Sequence, residues 1–320
     1  MRAYMIRSDG AAPALAQVSL PEPQAGEIRV KIGACGLNFA DLLMMKGTYQ
    51  DTPPAPFTLG MEVAGVVDAL GAGVDGPAPG TRVAVFGGQG GLADYGCFDA
   101  ARAVVLPDTM SFEQAAAFQI AYGTSHVALD YKARMQPGET LLVLGAAGGV
   151  GLTAVEVGKL MGATVIACAR GADKLETCRR AGADHLIDAK TQDILSECKA
   201  LGGVDVVYDP VGGDQFKAAF RACKPEARII PIGFASGEVP KIPANHLLVK
   251  NLDVLGLYWG GYLKFKPSVI TDSLTTLLGW FEAGKITPHI SHALPLEQAG
   301  DALELLRSRK STGKVVVTLE

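Results

Sequence analysis

The stretch LGAAGGVGL, residues 144–152, places four glycines and two alanines between an apolar segment and a predicted helix. On its N-terminal side, Thr140–Leu144 has the length and composition of a buried strand. From Val150 onward apolar residues recur at helical spacing, and Gly162 stands where such a helix would end. A strand, a glycine-rich turn and a helix in this order typically seat a dinucleotide pyrophosphate on helix N–H groups. The stretch therefore predicts a nucleotide-binding unit.

The glycine spacing within this stretch supports the same prediction. The usual G-x-G-x-x-G pattern is present with alanine in the first position, at Ala146, Gly148 and Gly151. We expect the pyrophosphate to contact Ala146, Gly148, Gly149, Val150 and Gly151. The alternative is a glycine-rich turn that serves only the tight packing of helix against strand.

From Thr140 to Leu257, apolar segments of strand length alternate with amphipathic segments, as in parallel strands joined by crossover helices. The predicted strands are Thr140–Leu144, Thr164–Cys168, His185–Ile187, Val204–Tyr208, Ala227–Ile232 and Asp253–Leu257. Together they predict an α/β fold with a doubly wound, parallel, six-stranded Rossmann sheet.

The regions on either side of this block have a different pattern. Before it, short β segments are broken by many glycines and prolines, which is typical of an antiparallel, barrel-like domain. After it, two amphipathic helices lead to a last strand, Lys314–Leu319, which we expect to pair with the N-terminal domain. The predicted domains are 1–118, a dinucleotide-binding domain over 119–260, and a return to the first domain over 261–320.

The residues after the second predicted strand favour NADPH over NADH. NAD-binding units place an acidic side chain about 20 residues beyond the glycines, where it holds the ribose 2′-hydroxyl. Here that place is taken by Ala169, followed by Arg170 and, one turn on, Lys174, which could pair with a 2′-phosphate. The alternative is that both cations are ordinary solvated charges beside Asp173, which could cap the second helix.

Composition excludes several classes of partner. The 320 residues are 48% hydrophobic with a net charge of −4, so nothing points to nucleic acid or an anionic membrane. The apolar runs are strand-sized, whereas a membrane-spanning helix needs about 20 apolar residues. The N-terminus lacks the pattern of a secretory signal. We therefore expect a cytoplasmic protein whose partners are small molecules.

Cysteine and histidine spacing predicts no metal site. The six cysteines are spread singly, without a Cys-x-x-Cys pair. His289 and His292 stand three apart beside Pro288, with no helix to align them and no third ligand nearby.

Six motifs carry a family likeness that covers nearly the whole chain. They are GLNFADLLMMKGTY (36–49), LGMEVAGVV (59–67), GGLADY (90–95), LGAAGGVGL (144–152), YDPVGG (208–213) and STGKVVV (311–317). With these motifs the sequence resembles the medium-chain dehydrogenase/reductase superfamily, in its zinc-independent NADPH:quinone oxidoreductase branch. The resemblance implies a GroES-like antiparallel β-barrel-type catalytic domain beside the Rossmann domain.

Departures from the zinc-dependent branch imply the class of substrate. Where that branch has a cysteine and a histidine ligand, this sequence has Asn38 and Met61, and neither is a credible zinc ligand. A simple ketone that accepts hydride becomes a localised alkoxide and needs a Lewis acid or a strong proton donor. A quinone or an α,β-unsaturated carbonyl delocalises the charge, so hydrogen bonds and positioning can suffice.

The resemblance also implies catalytic residues at Asn38, Asp41 and Tyr49. Tyr49 could donate to the developing oxyanion, and Asn38 could hold the nicotinamide ribose or the substrate carbonyl. The structural alternatives are that Asp41 caps a helix that begins at Leu42 and that Tyr49 is a packed loop aromatic.

Further cofactor contacts are implied by the same family pattern. They are expected at Thr124, at the strand-end residues Asp209, Val211, Gly233, Phe234, Leu257 and Tyr258, and at Lys314. Val211 and Leu257 are apolar enough to belong only to the core. Lys314 could equally be an ordinary charge that opens an edge strand.

Two other functions and a homodimer stay open at this point. An enoyl or acryloyl thioester reductase would need a basic channel, for which Lys264 and Lys266 are the nearest candidates. A non-catalytic NADPH-binding structural or sensor protein would keep the fold alone. A homodimer could form through the predicted apolar edge strand near Leu252–Leu257.

Overall fold

The computed structural model describes residues 1–8 and 10–319, and the chain forms two compact units. Unit 1 comprises Met1–Ile120 and Pro288–Glu320, and unit 2 comprises Ala121–Thr287.

Unit 1 is predominantly antiparallel β structure. Its strands are β1 (Arg2–Ile6), β2 (Ala14–Gln17), β3 (Glu27–Gly36), β4 (Phe57–Thr58), β5 (Glu62–Leu70), β6 (Arg82–Phe86), β7 (Tyr95–Asp99), β8 (Ala103–Val105), β15 (Ile290–Pro295) and β16 (Lys314–Thr318). Its helices are α1 (Phe39–Met44), α2 (Phe112–Ala116) and α11 (Ala299–Arg307). The larger sheet has the order β15-β16-β3-β5-β6-β8, with β7 also paired to β3. The last strand pairs antiparallel with β3 through Val316 and Gly36, which places the end of the chain in the first unit.

Unit 2 contains a six-stranded parallel sheet with helices between its strands. The strands are β9 (Thr140–Leu144), β10 (Thr164–Ala169), β11 (His185–Asp188), β12 (Val204–Asp209), β13 (Cys223–Pro231) and β14 (Asp253–Val254). The helices are α3 (Gln119–His126), which begins in unit 1, α4 (Gly149–Leu160), α5 (Ala172–Arg180), α6 (Ile194–Ala200), α7 (Gly213–Ala222), α8 (Ala244–Lys250), α9 (Tyr262–Phe265) and α10 (Ser268–Glu282). The strand order β11-β10-β9-β12-β13-β14 confirms the predicted doubly wound sheet.

The central strands of this sheet are apolar because helices cover both faces. Leu142 and Leu144 of β9 are fully buried in a cluster with Ile166 of β10 and Val207 of β12. Phe216 of α7 closes the same cluster from the helix layer. This packing fixes the point where the glycine-rich turn leaves β9.

The last strand of the sheet is shorter than the sequence predicts. β14 comprises Asp253 and Val254 alone, and although Leu255 N–H still donates to Ile229, the chain then leaves the sheet. A long apolar edge strand over Asp253–Leu257 is therefore absent from the described sheet.

The segment 261–287 lies in unit 2, whereas the sequence assigned it to the N-terminal domain. Its long helix α10 packs against the end of α3. His126 Nδ1 lies 2.9 Å from Ser273 Oγ, and the rings of His126 and Trp280 meet edge to face. These contacts place the boundary after Thr287 rather than after residue 260.

Candidate cofactor and catalytic sites

The glycine-rich turn connects β9 directly to α4. Ala146 N–H donates to Cys168 O at the end of β10, and Gly148 N–H donates to Gly145 O, both at 3.0 Å. Helix α4 then begins at Gly149, with Gly148 as its N-cap. Since no side chain caps this helix, its first N–H groups are left to solvent or to a ligand.

Two glycines of the turn serve different purposes. A Cβ atom on Gly151 would lie 2.3 Å from Gly145 O, so this glycine is required for the turn to pack against the helix. A Cβ on Gly148 would meet only Gly145 O, at 3.3 Å, and φ at Gly148 is −79°, which any residue adopts. Packing therefore explains Gly151, while Gly148 keeps the surface next to the helix N-terminus open.

Residues from neighbouring loops border this turn. A Cβ on Gly145 would lie 2.9 Å from Val211 Cγ2, which places Val211 beside the turn. Asp209 ends β12 and is buried; its Oδ1 accepts N–H groups of Val211 and Gly212 at 2.7 and 2.9 Å. Its Oδ2 has no hydrogen-bond partner among the described residues, and burial raises the pKa of this carboxyl.

The other predicted cofactor residues of unit 2 are spread over three places. Thr124 is buried in α3. Gly233 and the partly exposed Phe234 follow β13, and Phe234 approaches Gly212. Leu257 and Tyr258 lie in the segment after β14. The structure thus brings Val211 to the glycine turn, while the other residues of this set lie in α3 and in the segments that follow β13 and β14.

The end of β10 carries the predicted cations and one that sequence reasoning missed. Ala169 ends the strand, Arg170 is exposed, and Lys174 lies in the first part of α5. Lys190, on the loop after the adjacent strand β11, has its Nζ 3.8 Å from a Cβ placed on Gly171. Parallel pairing of β10 with β11 brings this lysine beside the loop.

A carboxylate that the sequence analysis did not name, Asp188, also lies beside this loop. Asp188 Oδ1 accepts the N–H of Gly171 at 3.1 Å and that of Lys190 at 3.0 Å. These backbone hydrogen bonds lower the pKa of Asp188. Asp173 lies in the first turn of α5 while Gly171 is the N-cap, so Asp173 does not supply the cap that the sequence analysis considered.

In unit 1, Asp41 performs a structural task. It is fully buried, its Oδ2 accepts the N–H of Asn38 at 2.8 Å, and its Oδ1 accepts the N–H of Gly60 at 3.2 Å. Burial raises the pKa of Asp41 to about 6, although both hydrogen bonds and the charge of Lys314 oppose the shift. The carboxylate therefore fixes the start of α1 and the loop before β5.

Asn38 belongs to a buried polar cluster with Glu62 and Lys314. Lys314 Nζ donates to Glu62 Oε1 at 2.6 Å and to Asn38 Oδ1 at 2.7 Å. Asn38 Nδ2 donates to Glu62 Oε1 at 3.0 Å and to Gly36 O at 3.3 Å. Glu62 Oε2 accepts the N–H of Ile120 at 2.9 Å. Lys314, which the resemblance assigned to the cofactor, thus uses two of its three N–H groups within the protein.

Glu62 was missed as a site residue, although its motif was noted. It follows Gly60 and Met61 at the start of β5, where a carboxylate in a buried strand signals a partner of opposite charge. The partner, Lys314, comes from the other end of the chain, and only the pairing of β3 with both β5 and β16 brings the two together.

Tyr49 lies in the loop after α1 and is half-buried. Its backbone carbonyl accepts the N–H and the Oγ1–H of Thr52, at 3.1 and 2.7 Å. The loop turn is therefore locally fixed, and the role of the hydroxyl stays a prediction.

The donor set around Asn38 does not fit a zinc ion. Zinc sites use thiolate, imidazole or carboxylate ligands, whereas this cluster offers an amide, with Glu62 already paired to the ammonium of Lys314. In the described part of the chain no group of three or more His, Cys, Asp or Glu residues could hold a metal ion. Among the same residues, no helix is long and apolar enough to cross a membrane.

Two protein-family models match the chain. The alcohol dehydrogenase GroES-like domain matches residues 24–108, and the zinc-binding dehydrogenase family matches residues 149–274.

Full-length relatives and solved structures agree with these matches. A quinone oxidoreductase-like protein 2 homolog from Nematostella vectensis is 41% identical over 297 residues, covering 91% of this chain and 81% of that protein. The human synaptic vesicle membrane protein VAT-1 homolog is 34% identical over 315 residues, covering 93% and 80%. The quinone oxidoreductase of Thermus thermophilus, solved also in complex with NADPH, superposes with a TM-score of 0.89 at 33% identity over 100% of both chains.

Proposed function

The chain belongs to the zinc-independent quinone oxidoreductase branch of the medium-chain dehydrogenase/reductase superfamily, and from this we propose that it is an NADPH-dependent reductase of quinones or α,β-unsaturated carbonyls. It is an oxidoreductase by family. The acceptor class and the residues that act on it are the proposal.

The observation that carries the cofactor assignment is the open surface at Gly148. Backbone conformation does not require a glycine there, a Cβ would meet a single atom, Gly145 O at 3.3 Å, and the N-terminus of α4 that it precedes has no capping side chain. A phosphate approaching the helix N–H groups would require that space. Arg170, Lys174 and Lys190 supply positive charge for a 2′-phosphate, which NADH lacks.

The acceptor class is supported by what surrounds Asn38. NADPH supplies the hydride when bound. Among the described residues the donor set around Asn38 does not fit zinc, which favours an acceptor that spreads its own negative charge, as quinones and enones do. We propose that Asn38 contacts the cofactor and that the hydroxyl of Tyr49 donates to the oxygen on which charge develops.

A steady-state screen tests this function directly. NADPH and NADH are each offered with 1,4-benzoquinone, 9,10-phenanthrenequinone, an alkenal and crotonyl-coenzyme A, and loss of absorbance at the nicotinamide band is followed. We expect NADPH oxidation with at least one quinone or enone, and a lower kcat with little change in NADPH affinity for Tyr49→Phe. Thr48→Ala, in the same loop, is the matched control.

Each alternative function has its own outcome in this screen. Turnover confined to the coenzyme A thioester would identify a thioester reductase. Lys266 is one candidate for the basic channel that such a reductase would need. Its Nζ donates a hydrogen bond to Tyr131 Oη at 3.1 Å and lies over the Tyr131 ring. NADPH binding without oxidation of any acceptor would identify a non-catalytic cofactor-binding protein.

The proposal includes a homodimer and a cytoplasmic location. β14 is the edge of the parallel sheet, and the helix before it, α8, exposes Leu248 and Val249 at 77% and 75%. Covering these side chains with a second copy would remove an apolar patch from water. Fractionation of the source cells tests the location.

A further inference from the structure

Both ends of unit 2 contact the same side chain. Unit 2 begins at Ala121 and ends at Thr287. Tyr122 lies in α3 beside the first end, and Thr287 is the last end itself. Each of them is hydrogen-bonded to Glu156 of α4, the helix that begins at the glycine-rich turn. The three residues belong to unit 2, although their segments are far apart in the sequence.

Glu156 accepts one hydrogen bond on each of its carboxylate oxygens. Tyr122 Oη donates to Oε2 at 2.6 Å, and the N–H of Thr287 donates to Oε1 at 2.9 Å. Tyr122 is 1% exposed, whereas Thr287 is exposed. The N–H of Thr287 therefore depends on Glu156 for its protection from water.

The preceding turns of α4 hold α3 in the same way. Ser125 Oγ donates to Val150 O, and Thr153 Oγ1 donates to Ala121 O, both at 3.0 Å. Positions 150, 153 and 156 are each three residues apart, so they lie on one side of α4. The first end of unit 2 is thus attached to α4 from its first turn to Glu156, and the last end is attached at Glu156.

A carboxylate is matched to this arrangement but is costly in it. Neither partner of Glu156 in these two contacts carries a positive charge, and burial raises the pKa of Glu156 although both hydrogen bonds oppose the shift. Shielding an acidic group from water without a cation beside it is unfavourable. What a carboxylate offers in return is an acceptor oxygen on each side, which suits two donors that arrive from different segments.

We propose that Glu156 is a positioning residue that clamps both ends of unit 2 to α4, and that a nucleotide bound at the start of α4 orders the last end through it. The clamp follows from contacts within unit 2. The coupling rests on the proposed function, in which the pyrophosphate of NADPH lies against the first N–H groups of α4. A ligand that restrains this helix also restrains Glu156, so release of Thr287 costs more when the ligand is bound.

Hydrogen exchange of the ligand-free protein tests the clamp. Glu156→Leu removes both acceptor oxygens and leaves an apolar side chain of similar size. We expect the Thr287 amide and the amides of residues 121–126 to exchange at least about tenfold faster, as the loss of a hydrogen bond to a charged group implies. The amides of β9, in the centre of the sheet, should keep their rates.

Two further variants separate the contacts. Tyr122→Phe removes the hydroxyl alone, so it should speed exchange over residues 121–126 and leave Thr287 unchanged; it also serves if Glu156→Leu fails to fold. Lys159→Met is the matched control, because it removes an exposed ion pair with Asp184 from the same helix and should change neither end.

Exchange with saturating NADPH tests the coupling. In the wild type we expect NADPH to slow exchange of the Thr287 amide at least about fivefold, a typical size for coupling between two sites. In Glu156→Leu this protection of Thr287 should be lost, while protection of the first turn of α4 remains. A purely structural role of Glu156 would not make the protection of one end depend on the nucleotide.

Each contrary result has a distinct meaning. Wild-type exchange at both ends of folded Glu156→Leu would overturn the clamp, and so would faster exchange that includes β9, because Glu156 would then support the whole fold. NADPH protection of Thr287 that is absent from the wild type, or that persists in Glu156→Leu, would overturn the coupling. A wild-type protein that binds no NADPH would overturn the proposed function, and the ligand-free comparison would still decide the clamp.

Discussion

Lys314 Nζ lies 2.6 Å from Glu62 Oε1, and the two side chains are 5% and 1% exposed. The lysine opens the last strand of the chain and the glutamate opens β5. A buried ion pair is not in itself strongly stabilising, because desolvation of both groups offsets their attraction. Here the pair connects β16, β5 and, through the N–H of Ile120, the start of α3. It also contacts Asn38, the residue that we propose contacts the cofactor.

Removing both members of this pair should cost less stability than the two single removals added together. We expect Lys314→Met and Glu62→Gln each to lower the free energy of unfolding by about 3–5 kcal/mol, since each leaves an unpartnered buried charge or acceptor. The double variant should lose clearly less than the sum. Urea unfolding at pH 7.5 measures all three, with Arg307→Met, expected to cost less than about 1 kcal/mol, as the exposed control. Additive losses would show that the pair is not coupled.

Alanine substitutions in the glycine turn should separate its two purposes. Gly151→Ala places a methyl group 2.3 Å from Gly145 O and should destabilise unit 2 by about 1–3 kcal/mol. Gly148→Ala should cost less stability than Gly151→Ala, since its Cβ would lie 3.3 Å rather than 2.3 Å from Gly145 O, and it should weaken NADPH binding tenfold or more because the methyl group occupies the space next to the helix N-terminus. Gly279→Ala, where a Cβ meets nothing within 4 Å, is the control. Unchanged NADPH affinity for Gly148→Ala would favour a purely structural turn.

Local patterns predicted the elements of unit 2 well because its strands are buried on both faces. Thr140–Leu144 has the predicted bounds, three other strands agree to within one residue, and β13 begins four residues earlier than predicted. The sheet edge also differs. There β14 ends at Val254, because an edge strand is paired on one side only and apolar composition alone does not keep it in the sheet. The boundary near residue 260 was misplaced because α10 has an amphipathic pattern that fits packing on either unit.

The site residues that were missed are those defined by pairing between distant segments. Glu62 and Lys314 come together because β3 pairs with both β5 and β16. Lys190 lies beside Gly171 because β10 pairs with β11. Register across a sheet is a tertiary property, so no spacing along the chain encodes these contacts. Asp41 was placed by the sequence before a helix beginning at Leu42, but α1 begins at Phe39 with Asn38 as its N-cap. Asp41 instead accepts the N–H of Asn38 from the third position of the helix.

The cations beside β10 should set the preference for NADPH. We expect Arg170→Ala with Lys174→Ala to lower NADPH affinity by about ten- to a hundredfold and to leave NADH affinity unchanged, since only the 2′-phosphate loses partners. Lys190→Ala should weaken NADPH binding in the same direction. Arg180→Ala, at the far end of α5, should change neither. Equal losses for both nucleotides would mean that these residues act on the fold rather than on the phosphate.

The exposed apolar residues of α8 should govern association. Leu248→Lys with Val249→Lys places charge on side chains that are 77% and 75% exposed, so folding should be unaffected while a dimer interface would be disrupted. Light scattering after size-exclusion chromatography should show a dimer for the wild type and a monomer for the variant. Leu160→Lys, an exposed leucine of α4, is the control. A wild-type monomer would remove the homodimer from the proposal.

The buried carboxyl of Asp41 should give the stability of the protein a particular dependence on pH. Its folded pKa is raised to about 6 by burial, so the folded chain takes up this proton more readily than the unfolded chain does. The contribution of the group is therefore fully present at low pH and is lost as pH rises through about 6. Asp41→Asn abolishes the titration. It also places an amide N–H against the backbone N–H of Asn38 or of Gly60, so the variant loses one of these two hydrogen bonds at every pH.

The variant should consequently be more destabilised relative to the wild type at pH 5 than at pH 8. We expect the loss of unfolding free energy caused by Asp41→Asn to be about 1–3 kcal/mol larger at pH 5 than at pH 8. Glu176→Gln is the control, because hydrogen bonds from Arg179 and Arg180 lower the pKa of Glu176 to about 2, so that its titration lies below the pH range compared and its effect should be the same at pH 5 and pH 8. Urea titrations at both pH values measure the effect. A difference that is constant or that grows with pH would show that Asp41 is ionised throughout and that its two backbone hydrogen bonds outweigh its burial.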